Sequence, residues 1–227
     1  MISERRHLMI NVAIDGPAGA GKSTIAKKAA NDLSYIYVDT GAMFRAMGLF
    51  VLRNGIDPDD RTAVASGVDK ADIDIRYVDG TQSVILNGEN VSGLIRTDEI
   101  SNAASKVAVV PEVRKKMLDL QREIASKHDV IMDGRDIGSA VLPNADLKIY
   151  LTASVEVRAE RRYKENLEKG MTADLEAIKN DIRERDERDM TRKEAPLVKV
   201  EDAVEIDSSY MTIDEVVDKI ESLVKEL

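Results

Sequence analysis

The stretch GPAGAGKST, Gly16 to Thr24, sets three glycines beside a lysine and two hydroxyls, and fits G-x-x-x-x-G-K-[ST] through Gly16, Gly21, Lys22 and Ser23. Glycine admits positive φ and lets a ligand approach the backbone. Successive N–H groups can then face inward as an anion nest. A helix starting near Lys22 would point its positive end at the same place. Gly16, Pro17, Ala18, Gly19, Ala20, Gly21, Lys22, Ser23 and Thr24 are therefore expected to wrap the phosphates of a nucleoside triphosphate. Lys22 would neutralise the outer phosphates, and the Ser23 hydroxyl would hold Mg2+ directly. An ordinary glycine-rich turn is the alternative. The apolar run LMINVAID before the loop and the helical pattern KSTIAKKAANDL after it disfavour that reading.

Other stretches carry residues suited to a second anion. VIMDGRDIG places Asp133, Arg135 and Asp136 just after an apolar strand. Asp133 is suited to hold the magnesium ion through its water shell; a polar turn with a salt bridge is the alternative. DTGAMFR offers the Thr40 hydroxyl and the Arg45 guanidinium, which suits a phosphate through paired charge-assisted hydrogen bonds. An exposed ion pair would explain Arg45 equally well. Near the C-terminus, the apolar positions Leu175, Ile178 and Ile182 continue in steps of three and four as Arg185, Asp189 and Arg192. A buried face that turns charged along its length enters a polar cleft, or else runs into solvent. Arg158, Arg161 and Arg162 cluster on the preceding helix. They either stabilise charge on a transferring phosphoryl group or form surface pairs with neighbouring glutamates. A second phosphate site would account for all these arginines. A phosphate acceptor is already anionic at neutral pH, so it needs no histidine or thiol base.

Five apolar runs, LMINVAID, YIYVDT, DVIMD, LKIYLT and AVEID, alternate with helical patterns. That order predicts an α/β chain with a parallel sheet wrapped by helices. The residues at the strand ends, Gly16 to Ser23, DTGAMFR and DGRDIG, should meet in one crevice. Between them, ADIDIRYVDGTQSVILNGENVSGLIRT alternates apolar and polar residues and carries hairpin signals at DG and NG, predicting an inserted antiparallel sheet. VRKKMLDLQREIA has Val113, Met117, Leu120 and Ile124 at helical spacing. The last helix should open on a Thr212–Glu215 capping box and bury Ile213, Val217, Ile220 and Val224.

The 227 residues are 43% hydrophobic, in keeping with one domain that carries insertions. A net charge of −9 leaves no broad basic field for nucleic acid, so the arginine clusters must be local. With no cysteine, disulfides, thiolate catalysis and cysteine-ligated zinc are excluded. Two histidines, His7 and His128, are too few for a multi-histidine metal site and read as solvated. No apolar run reaches membrane-spanning length, and MISERRHLMINVAI does not read as a signal peptide, so a cytoplasmic protein is expected.

Together the motifs resemble those of the bacterial cytidylate kinase family, the (d)CMP kinases of the nucleoside monophosphate kinase group. The resemblance spans Met9 to Leu227 and rests on DGPAGAGKST, DTGAMFR, IRT, NAASKVA, PEVR, DGRDIG and RERDERD with the following R and APL, in family order. It implies a phosphate-loop NTPase fold with a five-stranded parallel sheet. It also implies a core over about 8–66 and 97–227, an inserted acceptor-binding sheet at about 67–96 and a lid at about 158–171. The implied reaction moves the γ-phosphoryl group of ATP, bound with Mg2+, to CMP and dCMP. Thr40, Arg45 and Arg135 would meet the acceptor phosphate, and Ser105, Arg114 and Asp136 would read cytosine. Arg185, Asp189 and Arg192 would gather around the ribose and the reacting phosphates, and Arg158 would join the ATP site. Lys22, Arg135, Arg161, Arg162 and Arg192 would form the catalytic set. The partners expected are these small molecules, with no nucleic acid and no membrane, and the chain is expected to act as a monomer. The alternatives are another small-molecule phosphate-loop kinase, of UMP, AMP or shikimate type, and a nucleotide-dependent switch. A switch should carry a guanine-reading N-K-x-D, which the chain lacks.

Overall fold

The computed structural model describes residues 9–78 and 81–227. The lead up to Leu8, with His7, and the Asp79-Gly80 hairpin signal lie outside the described residues. Five strands form the main sheet: β1 (Asn11–Asp15), β2 (Ile36–Asp39), β6 (Val130–Gly134), β7 (Leu147–Thr152) and β8 (Val204–Asp207). Their order is β2-β6-β1-β7-β8, and every neighbouring pair is parallel. The central strand reads VAI between buried neighbours because both of its faces are covered, as parallel sheets require.

The covering helices are α1 (Lys22–Leu33), α2 (Thr40–Arg53), α5 (Pro111–Lys127) and α8 (Ile213–Lys225). One apolar cluster joins Met43, Met47, Phe50, Val113 and Met117 to Met132. The other joins Ile25, Ala29, Ile149, Leu151, Val217 and Ile220. Local chemistry starts most of these helices. Asp39 caps α2 by accepting from Ala42 N at 2.8 Å, Pro111 opens α5, and α8 has the full Thr212–Glu215 capping box. Helix α1 differs: Gly21 at its N-cap makes no side-chain cap, so its first N–H groups stay available to a ligand.

The second sheet is antiparallel, with β3 (Ile73–Val78), β4 (Thr81–Leu86) and β5 (Glu89–Asn90). Asn87 and Gly88 both have positive φ, 49° and 84°, as the tight turn between β4 and β5 demands. Ile73, Val84 and Leu86 pack into the same cluster as α2, so the inserted sheet shares the core of the main one.

Two helices go beyond the expected set: α3 (Arg61–Gly67) and α4 (Asp98–Val107). Helix α4 buries Ile100, Ala103, Ala104 and Val107, the spacing of one helix face, and Thr97 caps it. Short helical turns at Val68–Lys70 and Ile137–Val141 are also additional. On α8 one expectation fails. Ile213 is 49% exposed, and Val216 takes its place beside Val217, Ile220 and Val224. The first turn of α8 borders an open cavity, so Ile213 faces that space rather than the sheet. Two further helices, α6 (Val155–Glu168) and α7 (Leu175–Thr191), pack together through Ala159, Ile178 and Ile182. Among the described residues no helix is long and apolar enough to cross a membrane.

Candidate active site

The carboxyl ends of β1, β2 and β6 open on a cavity of about 1030 Å³. Its walls include Ala18, Gly19, Gly21, Lys22, Ser23, Thr24, Arg45, Asp133, Arg135, Arg158, Arg161, Arg162 and Arg185. A smaller cavity of about 100 Å³ shares Arg45, Arg135 and Arg185 with it. This second space adds Thr40, Ser105, Arg114, Asp136, Asp189 and Arg192. Gly16, Pro17 and Ala20 line neither cavity. Gly16 instead lets the loop pass against β7, since a Cβ there would fall 1.9 Å from the Leu151 carbonyl oxygen.

The phosphate loop closes on itself. Lys22 Nζ is buried and donates to the Pro17 carbonyl at 2.8 Å. Burial, then the nearby Arg135, pushes this ammonium well below the usual lysine range, while Asp133 and Asp15 pull it back. Ser23 Oγ donates to Asp133 Oδ2 at 2.9 Å, and the Tyr37 hydroxyl donates to Asp133 Oδ1 at 2.9 Å. Burial, then the charge of Asp39, pushes Asp133 up to about 6. The Thr40 hydroxyl donates to the Asp133 backbone carbonyl at 2.8 Å, so its one proton already has a partner.

The arginines divide into paired and unpaired. Arg45 meets Asp39 at 3.0 Å, yet its Nε is buried with no partner. Arg135 Nε donates to Asp189 Oδ2 at 2.8 Å. Asp136 lies between Arg114, in direct contact, and Arg192 at 3.7 Å. Burial opposes the charge on Asp189, but Arg135, Arg185 and Arg192 together hold its carboxyl below the usual range. Arg185 has no ion pair among the described residues; burial, then Arg135, pushes its guanidinium down to about 10. A site that crowds cations this way is relieved by an anion.

On α6 the three arginines part company. Arg158 is buried against Asp186 at 2.6 Å and also donates to the carbonyls of Ala18 and Ala153, both at 2.9 Å. It braces the phosphate loop from behind while keeping an edge on the cavity. Arg161 donates to the Ser208 carbonyl at 2.7 Å, and Arg162 reaches Asp98 at 3.4 Å. The stripe on α7 runs as its spacing predicts: Ile178 and Ile182 are buried, and Arg185, Asp189 and Arg192 emerge into the small cavity. Tyr37 and Asp186 escape a reading by motif, because each acts through a partner distant in sequence. Asp39 stands inside DTGAMFR, and its pairing with Arg45 six residues on is a local one. Asp15 carried a signal, an acid directly before the first glycine of the loop.

Asp15 is also buried, and burial pushes it up to about 6 against the pull of two backbone amides. Unfolded, both Asp15 and Asp133 titrate near 3.8. Between those values the folded chain binds more protons than the unfolded one, so these two groups favour the fold as pH falls. Protonated Asp133, in contrast, loses the charge it presents to Ser23. From roughly pH 7 to roughly pH 5, activity should therefore fall while Tm does not. A Tm that drops in step with activity would contradict this assignment of charges.

A phosphate loop opening an uncapped helix beside a five-stranded parallel sheet, with arginines converging from the far wall, defines a phosphate-loop kinase. In fold the chain is similar to a gluconokinase from Sinorhizobium meliloti, with a TM-score of 0.50 and 14% identity over 97% of this chain and 94% of that one. The cytidylate kinase family model matches residues 12–226. A cytidylate kinase of Caldicellulosiruptor bescii is 52% identical over 93% of each chain. One from Lactobacillus gasseri is 50% identical over 97% of this chain and 96% of its own, and one from Listeria monocytogenes is 50% identical over 94% and 95%. The chain belongs to the cytidylate kinase family, and it is a phosphotransferase.

Proposed function

We propose that this enzyme transfers the γ-phosphoryl group of ATP to CMP, and to dCMP, giving ADP with CDP or dCDP. The observation that carries the reading is the convergence of Arg45, Arg135 and Arg185 on both cavities, with Arg45 Nε unpartnered and Arg185 without an ion pair among the described residues. The donor phosphates would lie on the loop, against the free N–H groups of α1 and Lys22. Ser23 and Asp133, 2.9 Å apart, are placed to hold Mg2+ together, Ser23 directly and Asp133 through a water, the other ligands being phosphate and water. Bound there, the ion would neutralise charge on the transferring phosphates.

The acceptor brings its own anionic oxygen, so the protein has to position and neutralise rather than remove a proton. Arg135 and Arg45 would fix the acceptor phosphate, with the Thr40 oxygen beside them. Arg192, Arg161 and Arg162 would meet charge that builds as the phosphoryl group moves. Ser105, Arg114 and Asp136, which line the small cavity, would face cytosine, and Asp189 with Arg185 would face the ribose. The inserted sheet and the lid segment would close over the ligands to exclude water. The enzyme would work as a monomer in the cytoplasm. An assay of ATP consumption with CMP, dCMP, UMP and AMP offered singly tests the reading. Turnover with AMP or UMP but not CMP would sink it.

Arg135→Ala and Arg45→Ala should each lower kcat/KM for CMP. A charge-assisted bond is worth about 1.5–3 kcal/mol, or roughly 10–150-fold. Arg135→Ala should be the worse, because it also strips Asp189 of the partner that holds it charged. Normal kcat/KM in both variants would place the acceptor phosphate elsewhere.

A further inference from the structure

Asp15 ends β1, directly before the first glycine of the phosphate loop, and pairs in register with Gly134 across the sheet. Its side chain is buried, at 6% exposure, and backbone amides take both of its oxygens. Oδ1 accepts from Ile137 N at 2.8 Å and Oδ2 from Gly138 N at 2.7 Å. Those amides open the wide helical turn Ile137–Val141, whose later N–H groups bond back to the Asp136 carbonyl at 3.1 Å and the Ile137 carbonyl at 2.7 Å. The first amides of such a turn find no partner within it, and here the partner comes from another strand. Gly138 keeps the approach open: a Cβ there would lie 3.2 Å from the Lys148 side chain and 3.4 Å from Asp15 Oδ2. A carboxylate out of water is costly unless it is hydrogen-bonded. Two bonds to consecutive amides meet that cost and also fix how the turn leaves β6.

We propose that Asp15 is a positioning residue for acceptor recognition. By pinning the amides of Ile137 and Gly138 to the strand that carries the phosphate loop, it sets the direction in which Arg135 and Asp136 face the acceptor. One carboxylate thereby registers the acceptor wall against the donor loop. The inference rests on the reading of Arg135 and Asp136 as acceptor-facing, which turnover of CMP by the wild-type enzyme tests first and separately.

Asp15→Asn keeps the shape of the side chain and one accepting oxygen, but turns an NH2 group toward the other amide. Its kcat/KM for CMP should fall by about 30-fold or more, chiefly through a raised KM for CMP. KM for ATP should stay within about twofold, and the preference for CMP over UMP should shrink by about fivefold. Gly138→Ala presses a methyl against the Lys148 side chain at 3.2 Å, next to the amide that Asp15 holds, and should shift the same quantities the same way, by less. If Asp15→Asn does not fold, Gly138→Ala decides alone. Unchanged KM for CMP and an unchanged CMP/UMP ratio, whatever happens to kcat or Tm, would reduce Asp15 to a packing residue and overturn the proposal. A wild-type enzyme inert toward CMP would overturn the functional reading and the proposal with it.

Discussion

Lys22→Met should cut kcat by about 10²–10³-fold or more while leaving Tm unchanged or raised. The two halves of that result have one cause. Lys22 Nζ is buried, bonded to the Pro17 carbonyl at 2.8 Å, and burial, then Arg135, disfavours its charge. A lysine whose folded pKa is depressed weakens the fold at neutral pH, and that weakness fades as pH rises through the folded pKa. Methionine keeps the aliphatic stem and deletes the penalised charge, and this relief offsets the lost bond to the Pro17 carbonyl in the ligand-free fold. Triphosphate would reverse the balance, because its negative charge is what the site lacks. With methionine there, the outer phosphates would lose their nearest buried cation. Kinetics and a melting curve on the same preparation check both halves. Near-native turnover would end the assignment of the phosphate loop, and a large fall in Tm would mean that Lys22 serves the fold.

The same residue shows what a sequence can and cannot disclose. The motif gives the identity of Lys22 and its place at the start of α1, because glycine, lysine and hydroxyl spacing is a local property. Helix α1 therefore runs over the KSTIAKKAANDL read from the chain, and the capping box of α8 and the Asn87-Gly88 turn follow for the same reason. The depressed charge of Lys22 is not local. Besides burial it reflects Arg135 and Arg185, which arrive from the turn after β6 and from α7.

Charge pairing shows the limit most clearly. Spacing on α6 suggests surface pairs for Arg158 with nearby glutamates, yet Arg158 meets Asp186, 28 residues away. Arg135 meets Asp189 at a separation of 54 residues, and Tyr37 meets Asp133 at 96. Such partners are chosen by the strand order, which no window of sequence contains. Helix α4 was within reach. Thr97 as cap, two acids in the first turn and the run Ile100, Ala103, Ala104, Val107 are local signals. The alanines make that run weakly hydrophobic, and the neighbouring hairpin signals dominate the segment. Asp15 lies between these cases, since its position beside the loop is legible and its grip on Ile137 and Gly138 is not.

Asp136→Ala should cost CMP about 10²-fold or more in kcat/KM and cost UMP far less, so that the preference for CMP shrinks. Cytosine presents a donor at its exocyclic amine, and a carboxylate accepts it. Uracil presents a carbonyl there, which would set two acceptors face to face. A site built to bond a substrate group rejects the analogue that leaves buried polar atoms unpaired, by several kcal/mol. The geometry adds a second reason. Asp136 contacts Arg114 and lies 3.7 Å from Arg192, so its carboxylate also orients both guanidiniums, which would lie beside the base. Burial already disfavours the charge on Arg192, and Asp136 opposes that effect. Alanine therefore removes the acceptor and loosens both arginines, which should lower UMP turnover somewhat as well. The ratio separates the two contributions. Loss of base reading changes CMP against UMP, whereas loosened arginines depress both alike. If both activities fell together at a constant ratio, Asp136 would act only by holding Arg114 and Arg192. Cytosine would then be read by Ser105 or by Arg114 itself.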